Sequence, residues 1–285
     1  MMANIEIKSG LIIQYTDLNS TSNNTVLMLH GLGATSESWQ LQFDPLINSG
    51  FRVLAPDLRG FGYSTFPGGE NNPGIMASDM IVLLNELSIN TCHIIGISMG
   101  GAVALEIAVS KPLIVDSLIL TNTFSKIRAT SFSALFFYAI RLFLVHTIGL
   151  SKQADYVANR LFPDDKHTFL RNEFRSQVEK ANPFGYRSIM RSFVKFDLSS
   201  QMRMIHAPTL IITGENDSVV PPAIQIELAS QIPHAEHVFI PDAGHAVSVE
   251  QPNEYNRIIL NFLANIKDAI NPSSLNQKME EPFHA

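Results

Sequence analysis

The chain has 285 residues, of which 46% are hydrophobic and only 16% charged, below the ~25% usual for soluble domains, so it must bury a large core or expose apolar surface. A net charge of −6 and a pI near 5.8 exclude a polyanion-binding surface, which needs clustered Lys and Arg, and no nucleic-acid partner is expected. The single cysteine, Cys92, excludes an internal disulfide and is read as a packing residue.

The length suits one α/β domain carrying an insertion. No basic region followed by an apolar run opens the sequence, so with one cysteine a reducing, cytoplasmic location is expected. Residues Ile5 to Thr16 alternate around Ser9-Gly10, which predicts two antiparallel strands at a sheet edge. After a polar linker, Val26-Leu27-Met28-Leu29-His30 is a continuous apolar run, the mark of a parallel strand covered on both faces. It exits through His30-Gly31-Leu32-Gly33, where backbone N–H groups can approach a ligand; Leu32 N–H is a candidate oxyanion donor. His30 sits behind that loop and is read as shaping it, and Trp39, in the helix that follows, as packing. A strand over Phe51–Ala55 precedes the loop Pro56–Ser64, whose Asp57 and Arg59 are catalytic candidates but are read as structural, Asp57 capping the loop and Arg59 pairing with a nearby carboxylate.

A helix is predicted from about Ile75 to Leu87, and then comes the stretch that dominates the chain. The β-branched run Ile94-Ile95 breaks into Gly96-Ile97-Ser98-Met99-Gly100, and the apolar helix 101–109 follows at once. A serine on a sharp strand-to-helix turn needs small residues two positions either side, and the turn lifts its hydroxyl clear of the sheet. The next backbone N–H, that of Met99, opens the helix and has no intrahelical partner, so it can face a developing oxyanion. Another strand, Ser117–Leu120, ends at Thr121-Asn122-Thr123.

From Phe124 to about Gln201 the strand–helix alternation stops, and the sequence turns aromatic and helical. Its most apolar segment, 131–150, is long enough to raise the question of a membrane span. Arg141 stands at its middle, where insertion costs about 2.5–3.5 kcal/mol, and no basic flank follows, so a lid helix is expected. Phe136, Phe137 and Leu142 are candidate substrate-binding residues of an apolar pocket. Contact of this cap with a membrane surface stays open. Arg128, Arg141, Arg187 and Arg191 could instead grip a substrate carboxylate, but the composition points to an uncharged, moderately hydrophobic ester. Alternation resumes with a strand over 208–213, the exit Gly214-Glu215-Asn216-Asp217, a helix from Pro221-Pro222, a strand over 237–240, and Pro241-Asp242-Ala243-Gly244-His245. A last helix covers 252–269. The organisation is therefore a core over 1–122 and 202–270, a helical cap over 123–201 and a polar, mobile tail over 271–285. No metal-type Cys or His spacing and no phosphate-binding glycine loop occurs, so no metal and no cofactor is expected.

Ser98, Asp217 and His245 each fall just past a predicted strand end, and loops at the carboxyl ends of parallel strands converge on one edge. A neutral imidazole can take the serine proton, and a carboxylate on its other nitrogen fixes the tautomer. The order nucleophile, acid, histidine, together with the motifs at 30–33, 57–64, 96–101, 214–217 and 244–245, resembles the α/β-hydrolase superfamily over residues 5 to 269. The resemblance implies a mostly parallel central sheet flanked by helices, with a helical cap inserted after the strand ending near Leu120. It also implies Ser98 as nucleophile, His245 as base, Asp217 as its orienter, and Leu32 and Met99 N–H as oxyanion hole. Dehalogenases and epoxide hydrolases of this superfamily carry aspartate where Ser98 stands, which speaks against both. Some relatives place the acid where this chain has Thr121-Asn122-Thr123, so Asp217 is the better assignment, with Glu215 and Asp242 structural. The leading expectation is a serine hydrolase of a small-molecule ester or lactone. Alternatives are a carbon–carbon bond or enol-lactone hydrolase, a cofactor-free perhydrolase or lyase, and a receptor or scaffold. Oligomeric state is not legible.

Overall fold

The computed structural model describes residues 2–127 and 132–270, so the expectations for Arg128 and for the tail over 271–285 lie outside the described residues. Eight strands form one sheet in the order β1-β2-β4-β3-β5-β6-β7-β8. Strands β1 (Met2–Lys8) and β2 (Leu11–Leu18) form the antiparallel edge, in register at Ile5 with Ile13. Strand β2 pairs antiparallel with β4 (Arg52–Pro56). Strands β4, β3 (Thr25–Leu29), β5 (Cys92–Ile97), β6 (Val115–Thr121), β7 (Thr209–Gly214) and β8 (Glu236–Ile240) are mutually parallel.

The two-residue period of a strand explains why the central runs are apolar at every position. Along β3, Leu27 and Leu29 join the core on one face and Val26 and Met28 that on the other. Helices α2 (Pro73–Glu86) and α3 (Met99–Ser110) pack on the first face. On the second lie α1 (Gln40–Asn48) and α10 (Pro252–Ile270). Helix α3 has no polar stripe because it buries nearly its whole circumference. Trp39 ends a single 3-10 turn just before α1, a displacement of one turn from the predicted helix; it is fully buried, its ring 6.4 Å from that of Tyr255.

Between β6 and β7 the chain leaves the sheet for α4 (Phe132–Thr147), α5 (Leu150–Leu161), α6 (Thr168–Glu179) and α7 (Pro183–Ser192). An antiparallel bridge between Lys126 and Asp197 closes the neck of this excursion, with Leu198 N–H donating to the Ser125 carbonyl at 2.8 Å. The helices dock beside the loops at the carboxyl ends of the strands: Thr35 N–H donates to Gln177 Oε1 at 3.1 Å, Asn182 N–H to the Gly60 carbonyl at 2.8 Å, and Lys180 pairs with Glu37 at 2.9 Å. Among the described residues no helix is long and apolar enough to cross a membrane. Helix α8 (Pro222–Gln231) follows β7, and the four-residue helix α9 (Val247–Glu250), absent from the sequence expectations, lies just after His245.

Candidate active site

Strand β5 ends in the turn that carries Ser98, whose backbone sits at φ 53° and ψ −116°, a strained conformation for a residue with a side chain. Two glycines make the turn possible. A Cβ at Gly96 would lie 2.5 Å from the Gly100 carbonyl oxygen, and one at Gly100 would lie 2.0 Å from that of Leu29. The strained turn is held by Ser98 N–H donating to the Thr121 carbonyl at 3.0 Å and by Thr123 Oγ1 donating to the Ser98 carbonyl at 2.7 Å. Met99 is the first residue of α3, so its N–H is one of those a helix leaves without an internal partner.

The exits of β7 and β8 bring Asp217 and His245 together. His245 Nδ1 lies 2.8 Å from Asp217 Oδ2. The carboxylate is fully buried, and its other oxygen accepts the N–H groups of Val219 at 2.8 Å and Val220 at 2.9 Å. Both oxygens are thereby committed, which fixes the plane of the carboxylate and so the direction of the imidazole. Two further residues hold the histidine loop. Glu250 accepts the N–H groups of both neighbours of His245, from Gly244 at 2.7 Å and from Ala246 at 2.8 Å. Burial pushes its carboxyl above the ordinary carboxylate value, while the two N–H donors pull it down. Asn122, at the exit of β6, donates through Nδ2 to the carbonyls of Gly244 at 2.9 Å and His245 at 2.8 Å, and accepts Gly214 N–H at 2.9 Å. It thus sutures three strand ends. Sequence reasoning singled out neither residue as functional; the one signal for Asn122 was its place at a strand exit equivalent to those of Ser98, Asp217 and His245.

The remaining polar candidates hold loops in place. His30 is buried, with Nδ1–H donating to the Gly31 carbonyl at 2.9 Å and Nε2 accepting Leu58 N–H at 2.9 Å, so it is neutral and burial lowers its pKa. Asp57 accepts Ser36 N–H at 2.8 Å and Tyr63 N–H at 3.0 Å. Arg59 forms a buried double contact with Asp79. Glu215 and Asp242 are exposed.

Ser98 stands between two chambers under α4. The first, about 260 Å³, includes His245, Phe162 and Phe174. The second, about 250 Å³, includes Phe137, Phe193 and Ile224. Leu32, Ser98, Arg141 and Val219 line both. Of the three predicted substrate contacts, Phe137 lines the second chamber. Phe136 and Leu142 line neither: Phe136 points outward at 67% exposure, and Leu142 packs against the core. The cause is the 100° advance per helical residue, which cannot turn adjacent residues to one side. Of the predicted cations among the described residues, only Arg141 reaches the chambers. Arg187 donates to the Val145 carbonyl at 2.7 Å, and with Arg191 it lines a separate surface pocket. Among the described residues no group of three His, Cys, Asp or Glu side chains could hold a metal ion.

Comparison with known proteins agrees with this geometry. The profile of the alpha/beta hydrolase fold matches residues 24–252. A proposed carbamate hydrolase, RutD, from Pantoea ananatis is 30% identical over 258 residues, covering 87% of this chain and 90% of its own. The crystal structure of the enol-lactonase from Burkholderia xenovorans superposes with a TM-score of 0.83 at 25% identity, over 93% of this chain and all of the other (100%). A thermophilic esterase from Thermogutta terrifontis, solved with malate bound, gives a TM-score of 0.80 at 26% identity, over 93% and 99%.

Proposed function

The chain belongs to the α/β-hydrolase fold family and is a hydrolase, and from that premise we propose that it cleaves a carboxylic ester or lactone through an acyl-enzyme on Ser98. The observation that carries this reading is that His245, 2.8 Å from Asp217, lines one chamber with a serine held on a strained turn. His245, its Nδ1–H given to Asp217, is left with Nε2 to take the Ser98 proton as Oγ attacks the carbonyl carbon. The oxyanion is received by the N–H groups of Leu32 and Met99. Collapse expels the alcohol, which takes the proton from His245. A water then repeats the sequence on the acyl-enzyme and releases the acid.

The leaving group must lie where His245 can protonate it, so the first chamber, which His245 lines, takes the alcohol side and the second takes the acyl side. Both are walled mainly by apolar side chains that exclude water from the oxyanion site. In this reading the helices over 123–201 act as the cap, and the protein works in the reducing cytoplasm, where its single cysteine has no disulfide to form. A second reading, carbamate cleavage by the same serine chemistry, is favoured by the name of the Pantoea ananatis relative. The test is labelling by a fluorophosphonate and turnover of an acyl-ester panel beside a carbamate ester. Ser98 should label and ester turnover should vanish in Ser98→Ala with the fold retained. Wild-type ester hydrolysis by Ser98→Ala would end this mechanism, and preference for the carbamate would install the second reading.

A further inference from the structure

Among the described residues two arginines are buried, and they differ in one respect. Arg59, 6% exposed, is matched by Asp79, whereas Arg141, 8% exposed, has no ion-pair partner among the described residues. Its recorded contacts are neutral: Nη2 donates to the Tyr186 hydroxyl at 3.4 Å. With the Gln153 amide turned to satisfy both groups, Arg141 Nε donates to Gln153 Oε1 at 2.8 Å. A guanidinium cannot shed its charge when buried, and neutral contacts recover only part of its lost hydration. Arg141 also lines both chambers beside Ser98, so the free donors of its fork have a place to be met.

The second chamber repeats the pattern. Lys126, Arg141 and Arg160 line it, and among the described residues no aspartate or glutamate does. Lys126 is paired with Glu227 at 3.1 Å, but Arg160 spends Nη2 on the Ser218 carbonyl at 2.9 Å and leaves a buried Nε without a partner. The two guanidinium carbons lie 5.5 Å (Arg141) and 4.3 Å (Arg160) from the centre of the Phe137 ring, whose π face offsets little of two like charges. The first chamber has the opposite balance at its lining, where Glu37 and Glu173 stand. Excess positive charge is therefore confined to the acyl side.

Resting on the serine-hydrolase reading above, we propose that the second chamber binds a carboxylate at the far end of the acyl group, with Arg141 as anchor and Arg160 as its neighbour, so that the substrate is a half-ester or lactone of a dicarboxylic acid. This departs from the uncharged ester that lid composition alone suggested. A carboxylate accepts two parallel N–H bonds from one guanidinium, which fixes both distance and orientation of the ester carbonyl at Ser98. The chamber, about 250 Å³, takes a short chain: at about 30 Å³ per water-sized group it holds on the order of eight non-hydrogen atoms.

The test is calorimetric titration of Ser98→Ala with monomethyl glutarate, methyl pentanoate and dimethyl glutarate, which differ in charge at nearly constant length. Monomethyl glutarate should bind at least tenfold more tightly than either neutral ester, and Arg141→Met in the same background should remove that advantage. Equal binding of methyl pentanoate, no binding of monomethyl glutarate at millimolar concentration, or an advantage that survives Arg141→Met overturns the proposal. Should Arg141→Met fail to fold, Arg141→Lys keeps the charge but loses the fork and must weaken the half-ester at least threefold relative to methyl pentanoate; no change overturns it equally. Fluorophosphonate labelling of wild type separates the two readings. Labelling of Ser98 without charge preference removes this inference alone, and Arg141-dependent binding without labelling removes the serine mechanism alone.

Discussion

Glu250 touches no reacting atom in the mechanism proposed here, yet its replacement by glutamine should slow the reaction. Its carboxylate accepts two backbone N–H groups, at 2.7 and 2.8 Å, from the residues on either side of His245. Hydrogen bonds to a charged acceptor contribute about 1.5–3 kcal/mol each, and a glutamine can replace only one, turning its NH2 toward the other donor. The expected loss of stability is about 1–3 kcal/mol, a fall in Tm of roughly 2–4 °C per kcal/mol, so the protein stays folded. The histidine loop keeps its Asn122 contacts but loses one of its two acidic anchors, and a displacement of the reacting group near 1 Å can cost about 100-fold. Glu250→Gln should therefore lower kcat by about 10- to 100-fold with KM changed by less than about threefold. The pH profile supplies a readout that simple destabilisation would not move. Burial raises the Glu250 carboxyl above its ordinary value, so on acidification it protonates earlier than an exposed carboxylate and itself loses an acceptor. Protonation of Glu250 then adds a fall of about 10- to 100-fold to the acid limb of log kcat/KM in wild type, a step that Glu250→Gln cannot show. Wild-type kcat in Glu250→Gln, with an unchanged acid limb, would refute the positioning role.

Asp217→Asn should fold normally but lose kcat by about 10³- to 10⁴-fold, because Val219 and Val220 N–H claim the remaining oxygen and turn the NH2 toward His245, forcing the tautomer that cannot take a proton; retention of a tenth of wild-type kcat would contradict this. His30 gives a stability prediction with a definite sign. Its folded pKa lies below the ordinary value of 6.5 because burial disfavours the charged ring, so the unfolded chain binds the proton first. Its contribution is whole above pH 6.5 and is lost as pH falls from there toward the folded pKa. Tm measured from pH 7.5 to 5 should fall less steeply in His30→Gln than in wild type, and equal slopes would assign the acid sensitivity to other groups.

The strands and the serine turn were readable because their determinants are local. Gly96 and Gly100 must be small for reasons that lie within a few residues and one neighbouring strand, and the apolar runs at 26–29 and 94–97 declare burial on both faces by themselves. The meeting of Asp217 and His245 was readable because parallel topology sends every strand exit to one edge. Asn122 and Glu250 were not. Asn122 acts across 122 and 123 residues of chain on two carbonyls, and Glu250 acts on two N–H groups through a short helix with no apolar periodicity to announce it. Backbone acceptors and donors of that kind leave no trace in side-chain pattern.

Helix α4 failed in a more instructive way. When nearly every residue of a helix is apolar, the 3.6-residue period carries no information about which side faces inward. Phe136, Phe137 and Leu142 were equivalent as letters, and the structure separates them by angle alone. The inner stripe is Phe137, Arg141 and Val145, spaced by four and all buried, while Phe136 and Phe143, seven apart, lie exposed on the outer side. The arginine was the one residue that broke the degeneracy, and its energetics fix its meaning. On the outer face it would cost nothing in solvation and identify no site. On the inner face, beside a serine and without an ion pair to any carboxylate of the described residues, it carries a desolvation cost that Gln153, Tyr186 and Phe137 only partly offset. A charge retained at that cost on the wall of a reaction chamber needs a counter-ion, and if the chain supplies none, the substrate is the remaining source.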